Sequence, residues 1–268
     1  MLTGTEIPGG CVSNWRWNAA CCTPLHAMLR RLFLPLLGSL LLIACGASDD
    51  GSSDGDEPDV AISGLQVSPS SCPNDRARFQ EPTDAEKSDA LTAHPDVDPN
   101  GLVPKDLLAS ALGFFDVNKD KLDNHKYLGV VDFGKASSKK RFFVVNLDTG
   151  AVEAHQVAHG RGSDPGRTGT PTRFSNVNNS FMSSLGYYLT MDTYDGKHPH
   201  SLQLSGLSST NDLVCKRSVI VHPAAYVHDN GQAAGMSEGC MALDPSVSVS
   251  VVDRLKHGGL IYAGRAGH

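Results

Sequence analysis

From Gly46 to about Val60 the chain is mostly Gly, Ser and Asp, with one Glu and no Lys or Arg. Such a stretch cannot bury enough apolar surface to fold. It reads as a flexible acidic tether. Residues 61–103 stay polar and carry Pro69, Pro73, Pro82, Pro95 and Pro99, so an irregular lead-in is expected there. Residues 46–103 are therefore assigned to tether and lead-in, and the folded domain to residues 104–268. The overall apolar fraction of 40% can build a core for it. A net charge of −6 with no basic run argues against nucleic acid as a partner.

Upstream of the tether, residues 1–27 read as neither fold nor signal. Met28 is followed by Leu29-Arg30-Arg31 and an apolar run from Leu32 to Ala44, interrupted by Pro35 and Gly38. This has the basic and apolar regions of a secretory signal. Its 13 residues (44 − 32 + 1) are too few to span a bilayer. The expectation is a start at Met28, a misassigned extension over 1–27 and a signal peptide over 28–45. The other reading is a genuine longer leader. Leu42-Ile43-Ala44-Cys45-Gly46 resembles a bacterial lipoprotein cleavage box, which implies lipidation at Cys45 and a membrane anchor. The alternative is a plain signal peptide cleaved near a cysteine. Gly46 and Ala47, not Asp, follow the cysteine. By resemblance to sorting rules, this implies the outer membrane, facing the periplasm, in a two-membrane cell. In a one-membrane cell it implies the outer face of that membrane.

Within 104–268 a helix is expected from Pro104 to Val117. Leu108, Ala111, Leu112 and Phe115 share one face at a 3.6-residue period, and Pro104 suits a first turn. Tyr127 to Phe133 and Arg141 to Leu147 are β-rich, and Asp148-Thr149-Gly150 turns the chain into a further strand over Ala151 to Ala158. Arg217 to Val221 reads as another strand. Asp244 can cap a helix that Pro245 starts, with Val247, Val251 and Leu255 on one face and Gly258 ending it. The Val-Ser alternation there also allows a strand. Gly259 to Ala263 looks like a last strand.

The strand over Arg217 to Val221 delivers His222, and Cys240 follows 18 residues later (240 − 222). The two meet only if the chain doubles back, which His228-Asp229-Asn230-Gly231 makes easy. A thiolate is a strong nucleophile, and an imidazole can take the thiol proton. Gly239 lets the backbone approach a substrate and aim N–H groups at a developing oxyanion. By spacing alone the bland alternative stands: a buried apolar cysteine and a hydrogen-bonded histidine.

These residues resemble the catalytic segment of the L,D-transpeptidases (YkuD-like), and most closely the murein L,D-transpeptidase catalytic domain branch. That branch carries Ile-His-Gly-Ala-x-Tyr-Val and Ser-x-Gly-Cys-Pro-Ala-Leu. Here the runs are Val221-His222-Pro223-Ala224-Ala225-Tyr226-Val227 and Ser237-Glu238-Gly239-Cys240-Met241-Ala242-Leu243. The resemblance extends to Ala158-His159-Gly160, Phe174-Ser175-Asn176, Ser183-Ser184-Leu185-Gly186, Tyr194-x-Gly-Lys and Leu202-x-Leu-x-Gly-Leu, covering about Pro104 to Gly264. It implies a mainly β fold with a few helices, an L,D-transpeptidase-like β-sandwich or mixed-sheet catalytic domain. It implies Cys240 as nucleophile, His222 as base, and no metal or organic cofactor. Its substrates would be peptidoglycan stem peptides. Gly239, Ser237, His159 and Tyr226 are then candidates for the oxyanion hole or substrate contacts. His159 reads equally well as a residue satisfying a turn.

Two positions depart from the family. Pro223 replaces a Gly and lacks an N–H. Glu238 stands where a His or an aromatic is usual; it can orient His222, raise the Cys240 thiol pKa, or face water. If Cys45 is lipidated and Cys240 kept reduced, Cys72 and Cys215 remain as the one internal disulfide pair in an oxidising compartment; the alternative is two unpaired buried thiols. Asp116, Asn118 and Asp120 imitate the start of a calcium loop, but Lys121 and Tyr127 stand where Gly and a bidentate Glu are needed. A polar turn is the expectation. The pairs His155/His159 and His198/His200 lack a third ligand at zinc spacing.

Overall fold

The computed structural model describes residues 72–267. The extension over 1–27, the signal over 28–45 with Cys45, and the tether up to residue 71 lie outside the described residues. The described chain runs α1 (Asp84–Ala93), α2 (Lys105–Val117), β1 (Tyr127–Asp132), β2 (Phe142–Asn146), β3 (Val152–His155), β4 (His159–Gly160), β5 (Gly186–Tyr194), β6 (Ser201–Gly206), β7 (Ile220–Pro223), β8 (Met236–Ser237), β9 (Met241–Leu243), α3 (Pro245–Leu255) and β10 (Leu260–Gly264). Eight strands form a mixed sheet in the order β3-β2-β1-β10-β5-β6-β7-β9, and β4 pairs with β8 apart from it. The β1–β10 and β7–β9 pairs are parallel, and the other pairs of the large sheet are antiparallel. The mostly β fold with three α-helices and a mixed sheet is the class expected from the sequence.

The inner strands are buried on both faces, which is why they read as continuous apolar runs. On β2, Phe142 and Val144 enter one core, and Phe143 and Val145 enter the other. Val251, Val252 and Leu255 of α3 cover the first face. Leu108, Ala111, Leu112 and Phe115 of α2 cover the second, as their period requires. Each Val, Leu or Phe among them contributes roughly 1.5–3 kcal/mol on burial. The C-terminal segment is a helix and not the alternating strand. The Asp244 carboxylate accepts from Ser246 N, and Pro245 occupies the first turn. Pro104 is the residue before α2, with extended ψ of 130°, so the helix begins one residue later than expected.

The lead-in differs from expectation. It is not irregular throughout, because α1 forms there and packs Ala90 into the α2 core. The helix has little apolar patterning. A capping box starts it: Thr83 Oγ1 accepts from Glu86 N, and the Glu86 carboxylate accepts from Thr83 N at 2.7 Å. The calcium-like stretch is a polar turn that holds this lead-in. Asn118 is fully buried; its Oδ1 accepts from Gln80 N at 2.9 Å, and its Nδ2 donates to Gln80 O at 2.8 Å and Phe114 O at 3.0 Å. The strand expected over Ala151 to Ala158 is split: β3 ends at His155, Val157 bridges Leu243, and β4 begins at His159.

Candidate active site

The doubling back occurs through the sheet. Parallel pairing of β7 with β9 sets His222 opposite Ala242, two residues beyond Cys240. The intervening chain is tied down by polar groups. Asp229 N–H donates to Asp244 Oδ2 at 2.7 Å, and the Asp229 carboxylate accepts from Gln156 N at 2.8 Å. Gln156 is fully buried; its Nε2 donates to Ser137 O and Gln232 O, and its Oε1 accepts from Gly231 N. Tyr226 packs with Ala158, Ala224, Val227, Ala234 and Ala242, and it closes over Gly235. A Cβ at Gly235 would lie 2.7 Å from the Tyr226 ring, so only glycine fits.

Ser237 shapes the turn into the cysteine. Its Oγ donates to Cys240 O at 2.7 Å and accepts from Gly239 N at 3.1 Å. The Gly239 N–H is therefore engaged inside its own loop and would have to leave Ser237 to reach an oxyanion. Gly239 is needed for its φ of +126° and for close approach, because a Cβ there would meet Met182 O at 2.9 Å. From the other side Ser183 Oγ donates to Gly239 O at 3.3 Å and accepts from Gly160 N at 3.0 Å. The β4–β8 ladder sets Gly160 beside Ser237. Cys240 is partly exposed, and its Sγ lies 3.7 Å from Ser218 O.

His222 is buried, with Nδ1 2.9 Å from Pro223 O. A carbonyl only accepts, so Nδ1 carries a proton, and in the neutral ring Nε2 carries the lone pair. Proline at 223 thus keeps the group that fixes the tautomer. The pairing to β9 resumes one residue on, where Ala224 N donates to Leu243 O at 2.8 Å. The His198 ring stacks on His222, with centroids 4.1 Å apart and planes at 27°.

Two further residues feel the charge of the cysteine. Arg217 Nη1 donates to Ser175 O at 2.8 Å and Ser184 Oγ at 2.6 Å, and its Nη2 donates to Met182 O at 2.6 Å. Burial lowers the guanidinium pKa, and the charges of Tyr188 and Cys240 oppose that shift. The Tyr194 hydroxyl is pushed up by burial and by Cys240. Neither residue was marked as functional from the sequence. Arg217 stood out only as the start of a strand, and that strand begins at Ile220.

The remaining candidates have other partners. His159 is fully buried, and Arg141 Nη2 donates to its Nδ1 at 2.8 Å. Its Nε2 sits 3.7 Å from Asp164 Oδ2, beyond hydrogen-bond reach. Burial and the Arg141 charge lower the His159 pKa to about 4, against the pull of Asp164. Arg141, also fully buried, is lowered by burial to about 9, with Asp132 and Asp164 opposing. The His159 ring thus makes one hydrogen bond, with Arg141, from within β4. Glu238 faces Arg161, Oε1 to Nη2 at 3.4 Å, and Arg161 lies over the Phe181 ring. The Pro223 carbonyl is one group that orients His222. His155 pairs with Asp229, and His200 with Asp253. Among the described residues no cluster of three or more His, Cys, Asp or Glu could hold a metal ion. Cys72 and Cys215 form a disulfide with Cα atoms 5.7 Å apart.

The sequence profile of a family described as "L,D-transpeptidase catalytic domain" matches residues 100–263. No curated protein matches the chain. Among solved structures, an L,D-transpeptidase from Mycobacterium smegmatis is 16% identical, with a TM-score of 0.33 over 52% of this chain and 58% of that one. An L,D-transpeptidase (Yku) from Stackebrandtia nassauensis is 14% identical, with a TM-score of 0.32 over 68% of this chain and 78% of that one. The helical cell shape determining protein Pgp2 from Campylobacter jejuni is 10% identical, with a TM-score of 0.34 over 55% and 50%. The chain thus spans less than two thirds of the first and third of these proteins.

Proposed function

This chain belongs to the L,D-transpeptidase catalytic domain family, and on that premise we propose that Cys240 is the nucleophile of a peptidoglycan acyl transfer with His222 as its base. The observation that carries the reading is the β7–β9 pairing, which sets a histidine protonated at Nδ1 on the strand next to the cysteine. The thiol proton passes to His222 Nε2. The thiolate attacks the carbonyl of the third residue of a stem tetrapeptide, whose α-carbon is an L-centre. The tetrahedral oxyanion takes the Cys240 N–H, since the Gly239 N–H is bonded to Ser237. The bond to the terminal D-alanine breaks, and His222 returns the proton to the leaving amine. A thioester remains on Cys240. An amine of a second stem attacks it, His222 accepts the proton of that amine and hands it to the departing thiolate, and a cross-link forms. Water as acceptor makes the same chemistry an L,D-carboxypeptidase. The lipid at Cys45 would hold the enzyme in the cell envelope, facing the periplasm from the outer membrane.

The test is intact-protein mass spectrometry of the full chain in detergent, incubated with a disaccharide tetrapeptide, beside Cys240→Ala. An acyl adduct on the wild type alone, with D-alanine released, is expected; the products then separate cross-linking from hydrolysis. A folded, reduced protein giving neither adduct nor D-alanine would sink the catalytic reading. It would leave a lipoprotein that only binds peptidoglycan.

A further inference from the structure

His198 sits in the turn between β5 and β6, outside the segment that carries the nucleophile and the base. Its ring nevertheless stacks on His222 at 4.1 Å. Two features show that this placement is built. The backbone on both sides of His198 is tied: His200 N donates to Asp195 Oδ1 at 2.7 Å, and Ser201 Oγ donates to His198 O at 2.9 Å. His200 holds a φ of +50°, a conformation that side chains rarely adopt, and its Nε2 is tied to Asp253 Oδ1 of α3 at 3.1 Å. A non-glycine residue in this region is costly and persists only where its surroundings impose it. The turn accepts that cost while presenting His198 to His222.

The chemistry at His222 needs two constraints. The bond from Nδ1 to Pro223 O fixes one edge of the ring. That hydrogen bond constrains the ring least against rotation about its own line. A second flat ring against its face removes this freedom, because stacked rings hold their planes near parallel. We propose that His198 is a positioning residue for the base: its ring, together with the Pro223 carbonyl, locks the plane of His222 so that Nε2 stays aimed at its proton partner. This rests on the reading of His222 as the base. It also separates His198 from His200, whose ring is committed to Asp253 on another element. The function of His198 in this role is its flat surface, not its nitrogens.

The experiment compares His198→Phe, which keeps a flat ring, with His198→Ala, which removes it. Both are made in the full chain and assayed on a disaccharide tetrapeptide. His198→Ala should lower kcat about ten- to a hundredfold with little change in KM, the penalty for a loosened catalytic group. His198→Phe should recover most of that loss. An alanine variant with wild-type kcat would overturn the proposal. So would a phenylalanine variant as slow as the alanine one, which would assign the role to the imidazole nitrogens. A second readout does not require turnover. Carbon-13 relaxation of the His222 ring should show a rigid ring in wild type and His198→Phe, and added ring motion in His198→Ala with the Nδ1-protonated tautomer kept by Pro223 O. Equal ring rigidity in all three proteins would overturn the positioning role, even if Cys240 proved inert and the catalytic reading fell with it.

Discussion

Replacing His222 with Gln keeps a side chain of similar reach but removes the ring nitrogen that carries the lone pair. The kcat/KM of His222→Gln should fall about 10²- to 10⁴-fold, the usual worth of a general base. The rate of Cys240 alkylation by iodoacetamide at pH 7 should fall with it; unchanged alkylation would mean that another group ionises the thiol. The buried His159 makes a different prediction. Its folded pKa of about 4 lies below its ordinary value of 6.5. Between these values the unfolded chain binds more protons. The stabilisation is therefore complete above pH 6.5 and is lost as the pH falls through about 4. The swing is on the order of 3 kcal/mol. Urea unfolding at pH 7 and pH 4.5 should show it in the wild type and show less of it in His159→Gln. At this scale the sequence made His222, Ser237 and Cys240 legible, because their spacing is local. Tyr194 and His198 were not, because they come from β5 and the turn after it, and Arg217, five residues before His222 (222 − 217), carries no local pattern that marks its approach to Gly239.

Among the elements, a two-pair ladder controls the nucleophile loop. β4 and β8 have two residues each, and Gly160 of β4 lies so close to the cysteine turn that a Cβ would sit 2.9 Å from Gly239 Cα. Gly160→Ala should displace that turn and cost about a hundredfold in kcat/KM, the scale of a one-ångström misplacement. The far-ultraviolet circular dichroism should stay native; wild-type kinetics would show that the turn relaxes freely. Two-residue strands paired across the chain leave no periodic trace, so this ladder was hidden in the sequence. The helices α2 and α3 were legible because their apolar faces and flanking Pro and Asp residues act locally. α1 was read as lead-in because its stability comes from the Thr83–Glu86 capping box and from packing on α2, not from a long apolar face.

Across the whole molecule, the disulfide between Cys72 and Cys215 closes a loop of 143 residues. Loop entropy puts its worth near 5 kcal/mol, and native disulfides typically deliver about 2–4. Cys215→Ser should lower the unfolding free energy by that amount in a urea titration. A loss under about 1 kcal/mol would show that the helical lead-in is held by its own packing. The fold class was legible from the strand runs, whereas the sheet order was not, since β10 inserts between β1 and β5 through contacts more than sixty residues away in the chain. The same disulfide also defines a load path. A pull arriving along the chain at Cys72 is shared by a covalent link with Cys215, two residues before Arg217, and need not be carried by the packing of α1 against α2. Tension on a tethered copy of this protein would then reach the wall of the cysteine site before it strained the helices, and reduction of that one bond would reroute the force.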